Sequence, residues 1–150
     1  MQQRRTRMFI CRPETIEIGG KTYRYRSQGE VRLARYLDLL KGAGVIKDWA
    51  YEQTTFVFPD DRYVIDFDVI LPDGRLEYYE YKGMFDARSR RKLKLLLKYR
   101  PEVRLNLVFG QKSDARKVSK RLAAACNRLC VLGRNGLIDI GLDAAKWEAR

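Results

Sequence analysis

Asp66 and Glu80 stand on either side of a short turn, and Lys82 follows the second acid by two positions. Two carboxylates and an ammonium so placed can hold a divalent cation and orient a water against a phosphate, the chemistry of a metal-dependent nuclease centre. Residues 63–70 alternate in polarity, as do 75–82, and Leu71-Pro72-Asp73-Gly74 between them is turn chemistry, so the two stretches read as an antiparallel hairpin. Closing the loop at Leu71 and Arg75 sets Asp66 opposite Glu80, Asp68 opposite Tyr78 and Val64 opposite Lys82. Strand side chains repeat every second residue, so these share one face while Ile65, Phe67 and Val69 point together into a core.

Like charges directly opposite on a sheet cost about 0.2–1 kcal/mol. A cation between them removes that cost; a merely solvated polar face is the plain alternative, since E-x-K alone is a weak motif. Mg²⁺, with Mn²⁺ as substitute, takes oxygen ligands of this kind. Lys82, diagonal to Asp66, would offset charge on the phosphate or orient the water.

The chain has 150 residues, 45% hydrophobic, which suits one well-buried domain. Its 31 Lys and Arg against 19 acids leave a net charge of +12, which favours a polyanion partner, nucleic acid before anionic membrane. No apolar run nears the roughly 18–20 residues of a membrane span, and residues 1–7 lack a signal peptide's apolar stretch, so a cytoplasmic location is expected. There is no histidine, which excludes Cys₂His₂ zinc sites and Ser-His-Asp triads. Cys11, Cys126 and Cys130 form no disulfide framework and read as reduced thiols, the latter two on an apolar helical face.

Elements that would position the acids can be read around them. Residues 15–18 and 22–25 flank Gly19-Gly20-Lys21 as a hairpin. Ser27 opens a helix to about Lys41, with Val31, Ala34, Leu37 and Leu40 on one face. Glu30, three residues after Ser27, fits a capping box in which its side chain reaches back to the Ser27 amide. A strand is expected over 49–58 and a helix over about 86–99, carrying Arg88, Arg90, Arg91, Lys92 and Lys94 outward. An apolar strand follows over 103–109. Ser113-Asp114 would cap a further helix with Ala115, Val118, Leu122, Cys126 and Leu129 buried, and Lys117, Lys120, Arg121 and Arg128 outside. The two basic helices are candidates for phosphate contact.

This order, with Gln28-Gly29-Glu30, Ala43-Gly44-Val45-Ile46, Asp66-Phe67, Leu71-Pro72-Asp73-Gly74, Glu80-Tyr81-Lys82-Gly83 and residues 100–109, resembles podoviral endonuclease I, of the PD-(D/E)xK superfamily. The likeness runs over about 20–110, with an echo at Asn135-Gly136-Leu137-Ile138 and Ala145-Lys146-Trp147. It implies an α/β fold with a mixed central sheet flanked by helices: a basic segment 1–13, a nuclease core of about 20–112 and a helical part 113–150. It implies that Asp66, Glu80 and the Tyr81 carbonyl bind metal, that Lys82 serves the attacking water, and that Glu30 supports a second metal. It further implies a homodimer with composite sites, in which Glu30 comes from the partner chain, resolving Holliday junctions and other branched DNA in a bacterial host cell. Two departures stand out: Ile65 occupies the place of a proline, and the Asp-to-Glu interval is longer. The alternatives are a phage or transposon endonuclease that cuts or nicks linear DNA, and a non-catalytic DNA-binding or virion-assembly protein on the same fold.

Overall fold

A computed structural model describes residues 12–140. Cys11, most of the basic segment 1–13 and Ala145-Lys146-Trp147 lie outside the described residues. Gly19 and Gly20, with φ of 59° and 78°, turn β1 (Glu14–Ile18) into β2 (Lys21–Tyr25), conformations that side chains with a Cβ resist. Helix α1 (Gln28–Gly42) begins at Ser27, whose hydroxyl accepts from the Glu30 amide at 3.2 Å, and it buries Val31, Leu33, Ala34 and Leu37.

Strand β3 (Asp48–Tyr51) is followed by a separate ribbon, β4 (Thr55–Val57) paired with β5 (Arg62–Val64). Then come β6 (Phe67–Ile70), β7 (Leu76–Lys82), α2 (Ala87–Tyr99) and β8 (Leu105–Phe109). Two short helices, α3 (Lys112–Ala115) and α4 (Lys120–Ala125), lead to β9 (Arg128–Gly133) and β10 (Gly136–Asp139). The central sheet runs β10-β9-β8-β7-β6-β3, with β7, β8 and β9 parallel and the remaining pairs antiparallel. This mixed sheet with helices on both faces is a PD-(D/E)xK core.

The two faces are visible in the strands. Leu105, Leu107 and Phe109 of β8 pack with Leu93 and Leu96 of α2 and Leu122 of α4, while Val108 joins Leu33, Leu37, Trp49 and Phe67 beneath α1. Every residue of β8 is buried, as expected where a parallel sheet is covered on both sides.

Three expectations are corrected. The stretches 49–58 and 63–70 are not continuous strands: each bends near Glu52 and near Asp66, and the outer pieces form the β4–β5 ribbon. Val64 therefore pairs with Thr55, not Lys82. Ile65 packs beneath α2 while Phe67 and Val69 pack beneath α1, so the three do not share a face. The single helix from Ser113 is two helices and a strand. Ser119 starts α4 by accepting from the Leu122 amide at 3.2 Å, and Leu129-Cys130-Val131-Leu132 is buried on both faces as a strand. Ala115, Val118, Leu122, Cys126 and Leu129 are all buried as expected, because the helical spacing and the helix–strand path bury the same positions. The helical part expected over 113–150 thus holds β9 and β10, and Cys126 and Cys130 are buried free thiols that share no helix.

Candidate active site

The expected register holds between β6 and β7: Asp68 faces Tyr78 and Phe67 faces Tyr79. One step beyond, Asp66 and Glu80 are tied through the backbone. The Asp66 amide donates to Glu80 Oε2 at 3.0 Å, and the Tyr81 amide donates to Asp66 Oδ2 at 2.8 Å. Both carboxylates are thus fixed by main-chain donors, and both residues are buried. Lys82 Nζ lies 3.0 Å from Glu80 Oε1 and 5.6 Å from the centre of the Tyr63 ring.

Glu30 reaches the same place from α1. Its Oε2 accepts from the Ser27 hydroxyl at 2.9 Å and its Oε1 from the buried Tyr51 hydroxyl at 3.3 Å. The capping box is therefore only half formed: the carboxylate takes the Ser27 hydroxyl instead of the Ser27 amide and leans into the site. Carboxylate oxygens of Glu30, Glu52 and Asp66 lie within 4.8 Å of one another. Within the chain, Glu30 and Asp66 thus lie together in one cluster.

Glu52 is the residue that sequence reasoning missed. It lies inside the stretch 49–58 expected as a strand, where local pattern does not single it out. Instead it has φ of 50°, its amide donates to the Asp66 carbonyl at 2.8 Å, and its carboxylate pairs with Arg26 at 2.8 Å. A left-handed backbone at a residue that is not glycine, beside a buried acid, is a mark of a functional position. Tyr81, expected to offer its carbonyl, is seen at the cluster through its amide, and its ring packs against Gly29 and Gly110.

The electrostatics follow from burial. Desolvation, then the charges of Glu80 and Glu30, push the Asp66 carboxyl well above its usual range. Desolvation raises Glu30 as well, aided by Glu80 and Glu52 against the hydrogen bonds from Ser27 and Tyr51. Burial pulls the Lys82 ammonium down, but Glu80 and Asp66 together outweigh it and hold its pKa above the ordinary lysine value. Lys82 therefore stays a cation.

The expected DNA-contacting residues lie on α2 and on the α3–α4 segment, packed on the same sheet face. Arg88, Arg90 and Lys94 are exposed, Arg90 against the Phe85 ring. Arg91 and Lys92 both face Asp61, at 3.3 and 3.8 Å, and Lys117 pairs with Asp114 at 3.1 Å. Lys120 and Arg121 are exposed at the start of α4.

A PD-(D/E)xK sheet that carries paired acids and a lysine at the end of β7 defines a nuclease. The chain belongs to the phage endonuclease I family, whose family model matches residues 15–138. It is thus an endonuclease with DNA as its substrate. No curated protein and no solved structure matches it. Among the described residues no helix is long and apolar enough to cross a membrane.

Proposed function

We propose that this endonuclease cuts branched DNA, four-way junctions above all, by paired phosphodiester nicks that depend on Mg²⁺ or Mn²⁺, and that it acts as a homodimer in the host cytoplasm because two nicks in one junction need two sites. The observation that carries the reading is the acidic cluster of buried Glu30 and Asp66 with half-buried Glu52, and Glu80 and Lys82 alongside.

The donor set fits a hard divalent cation. It offers carboxylate oxygens without histidine or thiolate, and its acids are buried against one another at a cost that a positive ion offsets. Asp66 and Glu80, with the Tyr81 carbonyl, would hold one ion, and Glu30 with Glu52 a second. Bound there, Mg²⁺ supplies Lewis-acid stabilisation of the phosphate and a more acidic water.

The protein's own groups do the rest. Lys82, held protonated by Glu80 and Asp66, is suited to stabilise negative charge on the phosphate and unsuited to be a base. The proton of the attacking water must then go to a carboxylate, and Glu30, held between Ser27 and Tyr51 beside Asp66, is placed to receive it. Exposed cations on α2 and α4 hold the duplex by its phosphates without reading bases.

The test is a parallel incubation of labelled four-way junction, linear duplex and single strand with Mg²⁺ and with chelator. Paired nicks in the junction that stop on chelation are expected. Equal cutting of linear duplex would replace junction resolution by general DNA cleavage, and no cutting of any substrate would leave a non-catalytic DNA-binding protein.

A further inference from the structure

A second basic surface lies on the other side of the sheet. Outward residues of α1 and the β9–β10 turn border an open cleft of about 440 Å³, into which Arg32, Arg35, Arg134, Tyr36 and Asn135 project. All three arginines are exposed, and none forms an ion pair among the described residues. That contrasts with α2, where Arg91 and Lys92 are partly neutralised by Asp61.

The cleft is built, not incidental. Arg32 Nη2 donates to the Gly133 carbonyl at 3.4 Å, fixing α1 against β9. Gly136, with φ of 128°, lets the turn press on Tyr36, since a Cβ there would stand 2.7 Å from the ring. Arg35 of α1 and Arg134 of the turn both line the cleft so formed. Three uncompensated guanidiniums beside an aromatic ring and an amide suit the phosphate–sugar backbone of a duplex, with Arg the side chain best matched to phosphate oxygens.

Position gives the surface its meaning. The α2 and α4 cations lie on one face of the sheet and the cleft lies with α1 on the other, as the two hydrophobic clusters show. The faces are separated by the sheet and its helices, about 20 Å in all. One straight duplex cannot lie along both. We propose that the cleft of Arg32, Arg35 and Arg134 binds the backbone of a second duplex arm while α2 and α4 hold the arm being cut. This inference rests on the branched-DNA reading and gives it a structural basis, since only a branched substrate presents two arms to one chain.

The test compares the salt dependence of binding to a four-way junction and to linear duplex, with Ca²⁺ in place of Mg²⁺ to hold back cleavage. Each phosphate contact contributes about 0.9 to the log–log slope. Wild type should show the steeper slope on the junction. Arg35→Gln/Arg134→Gln, which removes two arginines from each chain of the dimer, should lower the junction slope by about 3.6 and leave the duplex slope unchanged, whereas Arg88→Gln/Lys94→Gln should lower both. Both cleft positions are exposed, so an unchanged melting midpoint is the folding control, and Arg35→Lys/Arg134→Lys should restore the slope. If wild type is steeper on the junction and the cleft variant matches it, the cleft assignment fails and the junction reading stands. Equal wild-type slopes on the two DNAs would defeat both. An equal drop on both DNAs would make the cleft part of the single-duplex track and overturn the second-arm assignment.

Discussion

The ring of Tyr81 lies so close to Gly29 that a Cβ at residue 29 would stand 2.0 Å from its Cζ. This contact joins the first turn of α1 to β7, and the neighbours of the two residues are Glu30 and Glu80. Tyr81 also sends its amide to Asp66, so one residue sets both the depth of the helix and the aim of the aspartate. The glycine in Gln28-Gly29-Glu30 is thus a spacer that lets a helical acid meet acids on the sheet.

Gly29→Ala should push α1 off β7 and withdraw Glu30 from Asp66. Overpacking of this kind costs about 1–3 kcal/mol. Nicking should fall far more than the melting midpoint, because the displacement is concentrated at the site. Tyr81→Leu combined with Gly29→Ala should recover part of both losses, a coupling that a double-mutant cycle measures. A Gly29→Ala protein with wild-type nicking would remove the spacer role.

Much of the site was legible because its signals are local. The turn at Leu71-Pro72-Asp73-Gly74 and period-two alternation sufficed to register Asp68 with Tyr78, and that places Asp66 beside Glu80. Ser27 announced the start of α1 in the same way. What local pattern could not show is the bend at Glu52 and at Ile65-Asp66, where tertiary packing pulls the outer strand halves into a ribbon. The broken helix after Ser113 failed for a related reason. Residues 115, 118, 122, 126 and 129 satisfy a helical face, and only the buried run Leu129 to Leu132, covered from both sides, distinguishes strand from helix.

Asp66→Asn and Glu80→Gln should each abolish nicking while junction binding persists, since neither touches the basic surfaces. Asp66→Asn should also change how stability depends on pH. The raised pKa of Asp66 means that the fold holds this proton more tightly than the unfolded chain does, whose value is near 3.8. Its contribution to stability is therefore present at low pH and lost as pH rises from the unfolded value through the folded one. In chelator, the asparagine variant should gain stability over wild type as pH rises above the unfolded carboxylate value of 3.8, and added Mn²⁺ should narrow the gap by stabilising wild type alone. Melting midpoints across that range check it, and parallel curves for the two proteins would remove the buried-charge account.

Lys82→Ala should lower turnover by roughly two to four orders of magnitude, the scale of one lost electrostatic donor, with little change in junction affinity. Because Lys82 is held protonated, its loss should leave the alkaline side of the pH–rate profile in place. A variant that binds poorly but turns over normally at saturation would make Lys82 a phosphate anchor instead.

Glu52 separates function from stability. Its φ of 50° is strained for any residue with a Cβ, so Glu52→Gly should stabilise the fold by up to about 1 kcal/mol even though it removes the pair between half-buried Glu52 and exposed Arg26. The same change should weaken Mn²⁺ binding, followed by calorimetry, and reduce nicking. Glu52→Gln, which keeps the strain and loses the charge, should weaken the metal without the gain in stability. If both variants bind Mn²⁺ as wild type does, Glu52 is not a ligand and its strained backbone serves only the bend.

The last prediction concerns which chain supplies Glu30. Residues 43–47 alone connect α1 to β3, so two copies could in principle exchange everything before that connection. Within one chain, however, Lys21 of β2 and Lys41 of α1 both pair with Asp48 at the start of β3, at 2.5 and 3.0 Å, and Lys21 also donates to the Trp49 carbonyl. With burial working against them, these partners together hold the Asp48 carboxyl down at about 2. A complete site thus forms within one chain, and exchange would make the same contacts between chains and gain none. Mixing Glu30→Gln with Asp66→Asn subunits therefore should not restore nicking, since each site keeps one lesion when Glu30 acts within its own chain. Chain exchange is verified by mass-tagged subunits. If instead Glu30 acts across the dimer, the mixed species has one doubly damaged site and one intact site, and single nicks should return. Recovery of nicking from two inactive parents would transfer Glu30 to the partner chain, and an active Glu30→Gln parent would reduce it to a helix cap.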